Sequence, residues 1–297
     1  MHLRALRLRC KVATTVNDIL KDARYLLKSA DIEEHVLESR ILLAHTLGLT
    51  VEETFFGDQV LNEDAKELYL QYIDRRVNRE PTAYIKGESE FFGHVFKVNQ
   101  HVLIPRPETE ILVETVLEYI RIKYVDQRVS IADIGTGSGC IAIALAKSIK
   151  DVSIIGIDRS GDSIKVAQAN ASAMGVSKKI QFKEGNLLDN IDNSLDIIVS
   201  NLPYIPSAEL DFLQPEIKLF EPTLALDGGI DGLQIVKRLI RQSGRYLVAG
   251  KILFLEIGKG QEDEIIQYSE SLYGAIVNIQ VVLDYSGISR VLSIQFK

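Results

Sequence analysis

Residues 129–148 combine a short Val/Ile-rich run (129–134), the loop Gly135, Thr136, Gly137, Ser138, Gly139, and an apolar stretch of helical length (140–148). Strand, glycine loop and helix in that order predict one unit of a parallel sheet covered by helices. Glycines let backbone approach a ligand closely, and the free N–H groups at the start of the helix favour a carboxylate or phosphate. The spacing is GxGxG, whereas the dinucleotide fingerprint needs its third glycine one position later, where Cys140 stands. NAD and FAD therefore fit poorly.

Further strand patterns follow. A second run, 152–157, leads into Asp158, which stands 19 positions beyond Gly139, where an acidic residue commonly binds ribose hydroxyls. A third, 180–183, ends at Gly185 and Asn186. Loop, acid and third strand end together suit S-adenosylmethionine, with its methionine part on Gly135 to Gly139, its ribose on Asp158 and its adenine near Asn186 and Leu187.

A fourth apolar run, 195–200, turns into Asn201, Leu202, Pro203 and Tyr204. In parallel sheets, ligands sit beyond such C-terminal strand ends. The Asn201 side-chain carbonyl can accept one hydrogen of an NH2 group and the Leu202 backbone carbonyl the other. Pro203 holds that carbonyl in extended geometry, and Tyr204 offers a flat π face to a planar amide or base. The quartet alone is equally compatible with an Asn/Pro turn that closes a strand.

Around this centre, residues 15 to about 80 predict three helices: one capped by Thr15, one capped by Asp31 and ending at Gly48, and one from Asn62 to Arg79. Residues 83–98 shift towards period two, which suggests a linking hairpin turning at Gly93 and His94, with Phe91 and Phe92 inside it. Pro107 suits the first turn of a helix to Tyr124. Arg106 is expected to bridge to Glu108 or Glu110, or else to guide an acidic substrate. After a turn-rich loop at 220–229 come a helix over 232–246, a strand over 251–257, a helix over 261–272 and two β-rich runs, 276–283 and 289–296. The expected domains are thus 1–82 helical, 83–100 hairpin and 101–297 α/β.

The net charge of −7 argues against a protein that coats nucleic acid through its bulk field. Two cysteines, Cys10 and Cys140, make no disulfide framework, no Cys/His cluster has metal-ligand spacing, and no apolar run approaches membrane-spanning length. A cytoplasmic protein with no membrane partner and no metal is expected. Arg4, Arg7, Arg9 and Lys11 read as a basic N-terminal extension that faintly resembles a transit peptide.

The stretches EPTAYIKGESEFFG, LIPRPETE, ADIGTGSGCIAIALA, SNLPYIP, FEPTLALDGGIDGL and DYSGISRVL, in this order, resemble the release-factor glutamine methyltransferases, also called PrmC or HemK. The resemblance covers roughly residues 80–297. It implies a seven-stranded Rossmann-like sheet that binds S-adenosylmethionine, and an N-terminal helical bundle that helps grip the protein substrate. The implied activity is methylation of the side-chain nitrogen of the glutamine in the Gly-Gly-Gln motif of class I peptide-chain release factors. By motif position, Gly135 to Gly139, Asp158, Asn186, Leu187 and Asn201 would meet the cofactor, Asn201 to Tyr204 would hold the glutamine, and Phe92 and Arg106 would finish the pocket. Two positions depart from the family pattern. Leu202 stands where proline is usual, and Asn186 where an acid is usual. The Asn-Leu-Pro-Tyr form also resembles rRNA adenine dimethylases. Adenine-N6 methylation, methylation of a ribosomal-protein glutamine, and cofactor binding without catalysis are therefore the competing readings.

Overall fold

The computed structural model describes residues 15–56, 60–189, 191, 195–247, 250–274 and 277–296, so the basic N-terminal extension and Cys10 lie outside the described residues. The chain forms two compact units, Met1–Gly87 with Gln214–Phe220, and Glu88–Leu213 with Glu221–Lys297.

The first unit is helical. Helix α1, Val16–Ser29, opens on a capping box in which Thr15 and Asp18 satisfy each other's backbone N–H groups. Asp31 does not cap the next helix. It lies at φ +54°, donates its N–H to the Lys28 carbonyl and closes α1 from behind, a left-handed position that Asp tolerates. Helix α2, His35–Leu47, therefore starts later than expected, after Glu34, and ends as expected at Gly48 in the left-handed region. Helix α3, Glu63–Val77, is capped by the Asn62 side chain. Residues Thr82–Lys86, expected to begin the hairpin, form the short helix α4, which Gly87 terminates at φ +74°. Leu27, Leu42, Leu43, Tyr69 and Ile73 fill the core, and the buried Tyr69 hydroxyl donates to the Ser39 carbonyl.

One short helix reaches this unit from far along the chain. Helix α8, Pro215–Phe220, places Glu216 against Arg76 at 2.8 Å and Arg79 at 2.7 Å. Arg76 also pairs with Glu38, which accepts from Thr82 as well. Each buried charge here has an opposite partner.

The second unit opens with the hairpin β1, Glu88–Phe91, and β2, His94–Lys97. Its turn residues are Phe92 and Gly93, with φ of +50° and +69°, rather than Gly93 and His94. Positive φ at both positions gives the turn the twist that matches the strands. A seven-stranded sheet follows in the order β10-β11-β9-β6-β3-β4-β5. Strands β3 (Val129–Ile134), β4 (Val152–Asp158), β5 (Ile180–Glu184), β6 (Ile197–Ser200) and β9 (Ile252–Glu256) are parallel, and β11 (Ser289–Phe296) and β10 (Val277–Leu283) add antiparallel. The expected start of β10 at residue 276 lies outside the described residues.

Alternation along β3 sends Val129 and Ile131 to one face, with α5 (Glu108–Lys123) and α6 (Cys140–Ser148), and Ala132 and Ile134 to the other, with α9 (Gln234–Ser243) and α10 (Glu262–Tyr273). Burial on both faces explains why the strands read as continuous apolar runs. Helix α9 begins later than expected because Gly232, at φ +74°, still belongs to the turn before it. The loop between β6 and α9 carries its own two-stranded pairing, β7 (Ile205–Pro206) with β8 (Asp227–Gly229). No helix among the described residues is long and apolar enough to cross a membrane.

Candidate functional site

Successive strands β3, β4 and β5 step outward in one direction, and β6 then pairs with β3 on its other side. The chain order thus reverses between β3 and β6, which is where parallel sheets leave a crevice beyond their C-terminal ends. A cavity of about 200 Å³ lies there. Of the residues singled out in the sequence, Gly135, Thr136, Gly137, Ser138, Asp158, Leu187, Asn201, Leu202, Pro203 and Arg106 line it. Gly139, Asn186, Tyr204 and Phe92 are not among its walls. Phe92 instead packs its ring beside the core under the hairpin and gives its backbone N–H to Glu110.

The glycine loop is fixed from below. The N–H groups of Gly135 and Thr136 both donate to the Ile157 carbonyl, at 2.8 and 2.9 Å. Gly139, at φ +81°, starts α6 so close to α7 (Gly161–Ala173) that a Cβ there would stand 3.1 Å from the Ala167 Cβ. Asn170 of α7 clips the loop to the hairpin, donating to the Ser138 carbonyl and exchanging bonds with the Lys97 backbone.

Two carboxylates frame this loop. Asp133, fully buried near the end of β3, accepts from the Thr136 hydroxyl at 2.6 Å and the Ala142 N–H at 3.2 Å, while Oδ1 has no partner among the described residues. Burial pushes its carboxyl up to about 7, against the pull of those two bonds. Asp158 accepts from Gly137 N–H and Ser160 N–H, both at 2.9 Å, and burial raises its pKa too. Each Asp158 oxygen keeps lone pairs for ligand hydroxyls.

At the end of β6, the Asn201 Nδ2 donates to the Thr109 hydroxyl at 3.1 Å. The Leu202 side chain is buried in the cluster with Ile134 and Leu187, which replaces the expected proline's packing with an aliphatic one. The Tyr204 carbonyl accepts from Gln261 at 2.9 Å, so the turn is pinned after Pro203. The Tyr204 hydroxyl stands 3.5 Å from Glu256 Oε1, and burial pushes its pKa up to about 12.

Arg106 does not bridge to Glu108 or Glu110. It pairs with Glu221, whose other oxygen accepts the Ile104 N–H at 3.2 Å. Glu108 and Glu110 follow in the exposed or half-buried first turn of α5, whereas Glu221 is buried beside the cavity and needs a cation.

Sequence reasoning gave no site role of their own to Asp133, Thr109, Glu221 and Glu256. Two of them carried a readable signal, since Asp133 and Glu256 are acids at or near the C-terminal end of otherwise apolar strands, where a charge is costly unless it serves a site. The residues present fit S-adenosylmethionine: bare glycine backbone at a helix start suits its carboxylate, the Asp158 carboxylate suits a diol, and Ile157 and Leu187 offer an apolar wall to a flat base.

Residues 18–87 match the family model described as the PrmC N-terminal domain, and residues 126–270 match a methyltransferase domain. The chain is 37% identical over 281 residues to the release factor glutamine methyltransferase of Geobacter sulfurreducens, covering 94% of this chain and 95% of that one. It is 38% identical over 271 residues to the release factor glutamine methyltransferase of Bradyrhizobium diazoefficiens, covering 90% of each. Among solved structures, the hMettl16 catalytic domain in complex with MAT2A 3′UTR hairpin 6 matches with a TM-score of 0.56 at 15% identity, over 80% of this chain and 84% of that one, a likeness of fold alone. On relatives this similar over nearly their whole length, the chain belongs to the release factor glutamine methyltransferase family.

Proposed function

We propose that this protein methylates the side-chain nitrogen of the glutamine in the Gly-Gly-Gln motif of class I peptide-chain release factors. The methyl donor is S-adenosylmethionine. The observation that carries the substrate reading is Asn201, whose Nδ2 is engaged by Thr109 while the residue lines the cavity beside the glycine loop, leaving its carbonyl as the group offered to an incoming NH2.

An amide nitrogen is a poor nucleophile because its lone pair is delocalised into the carbonyl. When bound, the cofactor supplies a methyl group already activated by its sulfonium. Asn201 Oδ1 and the Leu202 carbonyl accept the two N–H bonds of the glutamine amide, raise electron density on nitrogen and aim its lone pair. Pro203 and the Gln261 bond to Tyr204 keep those acceptors from swinging away. Transfer to this nitrogen would break the sulfur–methyl bond, leave S-adenosylhomocysteine, and release one amide proton to water. Positioning of this kind is worth roughly 7 to 11 kcal/mol in well-oriented reactions, and fixed dipoles add to it without a strong base. Asp158 would hold the ribose and Leu187 would meet the adenine, while Arg106, held by Glu221, shapes the rim. A cytoplasmic location without membrane or nucleic-acid partners goes with this substrate.

The test is transfer of labelled methyl to a full-length release factor, beside its Gly-Gly-Gln glutamine-to-alanine variant, with DNA, rRNA and ribosomal protein as parallel acceptors. Label on the wild-type factor alone is expected. Label that survives loss of that glutamine, or that prefers another acceptor, overturns the reading.

A further inference from the structure

A primary amide presents either an oxygen or an NH2 to a ligand, and a flip about its last torsion exchanges the two. Asn201 can hold a substrate NH2 only if its oxygen faces the cavity, so whatever stands behind it decides whether the site works. Thr109 stands there, in the first turn of α5, only 3% exposed, taking the Asn201 Nδ2 hydrogen at 3.1 Å. Parallel pairing of Ser200 with Leu255 sets the next residues along, Asn201 and Glu256, side by side. Glu256, the last residue of β9, is 2% exposed, and its Oε2 has no hydrogen-bond partner among the described residues. The Thr109 hydroxyl and the Asn201 amide flank this carboxylate and favour its charged form.

A charged carboxylate accepts hydrogens and donates none. It draws the single hydrogen of Thr109 towards itself, which leaves the Thr109 oxygen to accept. Together they draw the Asn201 NH2 inward and turn Oδ1 to the cavity. We infer that Thr109 and Glu256 are positioning residues that set the amide orientation of Asn201 and thereby select an NH2 group as the acceptor of the methyl. The inference rests on the function proposed above, but it is judged on whichever acceptor the wild-type protein labels.

The charge on Glu256 is finely held. Burial pushes its carboxyl up to about 7, Thr109, Arg290 and Asn201 pull it down, and Glu108 pushes it up. The Tyr204 hydroxyl stands 3.5 Å from its Oε1, and the carboxylate charge helps to raise the Cys140 thiol. Protonated Glu256 can donate to Thr109, which frees the amide to flip, so turnover rises with pH through about 7.

The experiment is a double-mutant cycle with Thr109→Val and Asn201→Ala, reading kcat, KM for the acceptor, and cofactor affinity by calorimetry. Thr109→Val is expected to lower kcat about 10- to 100-fold, by analogy with partners that orient metal-ligating side chains, with cofactor affinity unchanged. Thr109→Ser restores most of that loss, and Thr109→Val has no further effect once Asn201 is alanine. Losses that simply multiply in the double variant, or a Thr109→Val protein as active as wild type, overturn the inference. Glu256→Gln gives a second reading that does not depend on Thr109: the rising limb near pH 7 disappears and kcat stays low. A limb that survives in Glu256→Gln belongs to another group and overturns the role of Glu256. Should the wild-type protein label something other than a release factor, the proposed function falls while the cycle still judges the positioning.

Discussion

The helical unit buries its acids in pairs with arginine, whereas the second unit, besides its paired Glu221, leaves two buried acids short of partners. In the helical unit, Glu38, Arg76, Arg79 and Glu216 interlock as alternating partners. Burial alone would raise the Glu216 pKa, yet its own backbone N–H and the two arginines outweigh that and leave it lowered. Around the cavity, Asp133 and Glu256 are buried with no bonded cation among the described residues, each keeps an oxygen without a partner among them, and each is pushed up to about 7. Paired charges fix which helices pack together, whereas acids left short of partners keep capacity for a ligand or for a working side chain.

That contrast predicts which substitutions cost activity and which cost stability. The largest effect is expected from Asn201→Ala, a loss of about 100- to 1000-fold in kcat, by analogy with removing one fixed dipole from an active site. Methyl-transfer kinetics check it, and activity within a factor of about three of wild type breaks the assignment. Arg76→Leu should come next, at about 2 to 3 kcal/mol of stability by denaturant unfolding, because Glu38 and Glu216 lose their shared partner while keeping some contact with water. Cofactor affinity should not move, and a large fall in it would erase the contrast between the units. Asp158→Ala should weaken cofactor binding about tenfold or more, since it removes a charged acceptor, with calorimetry as the readout. Thr15→Ala should be smallest, about 1 kcal/mol for a lost N-cap, visible as a lower melting temperature with unchanged cofactor affinity.

The sheet and the glycine loop were legible in the sequence because both are written in local pattern. Buried parallel strands show as short apolar runs, and a ligand-approaching turn shows as glycines. Where the outcome depended on partners far along the chain, sequence reasoning chose the near neighbour. Local spacing pairs Arg106 with Glu108 or Glu110, but the buried Glu221 takes it. Asp31 is a local case of a different kind: a polar residue between two helices suits an N-cap, but its left-handed backbone closes the helix before it. Thr109 meets Asn201 only because β6 returns beside β3 and carries Asn201 to the start of α5, an encounter that no local spacing records.

The excursion of Gln214–Phe220 into the helical unit also sets a schedule for synthesis. Residues through Gly87 leave the ribosome first, but Glu216 follows about 130 residues later, on the order of ten seconds at usual elongation rates. Until then Arg76 has Glu38 but not Glu216, and Arg79 lacks Glu216 as well. The helical unit of a nascent chain therefore waits, incompletely neutralised, for a segment encoded beyond β6, and an excised fragment ending at Gly87 would wait indefinitely.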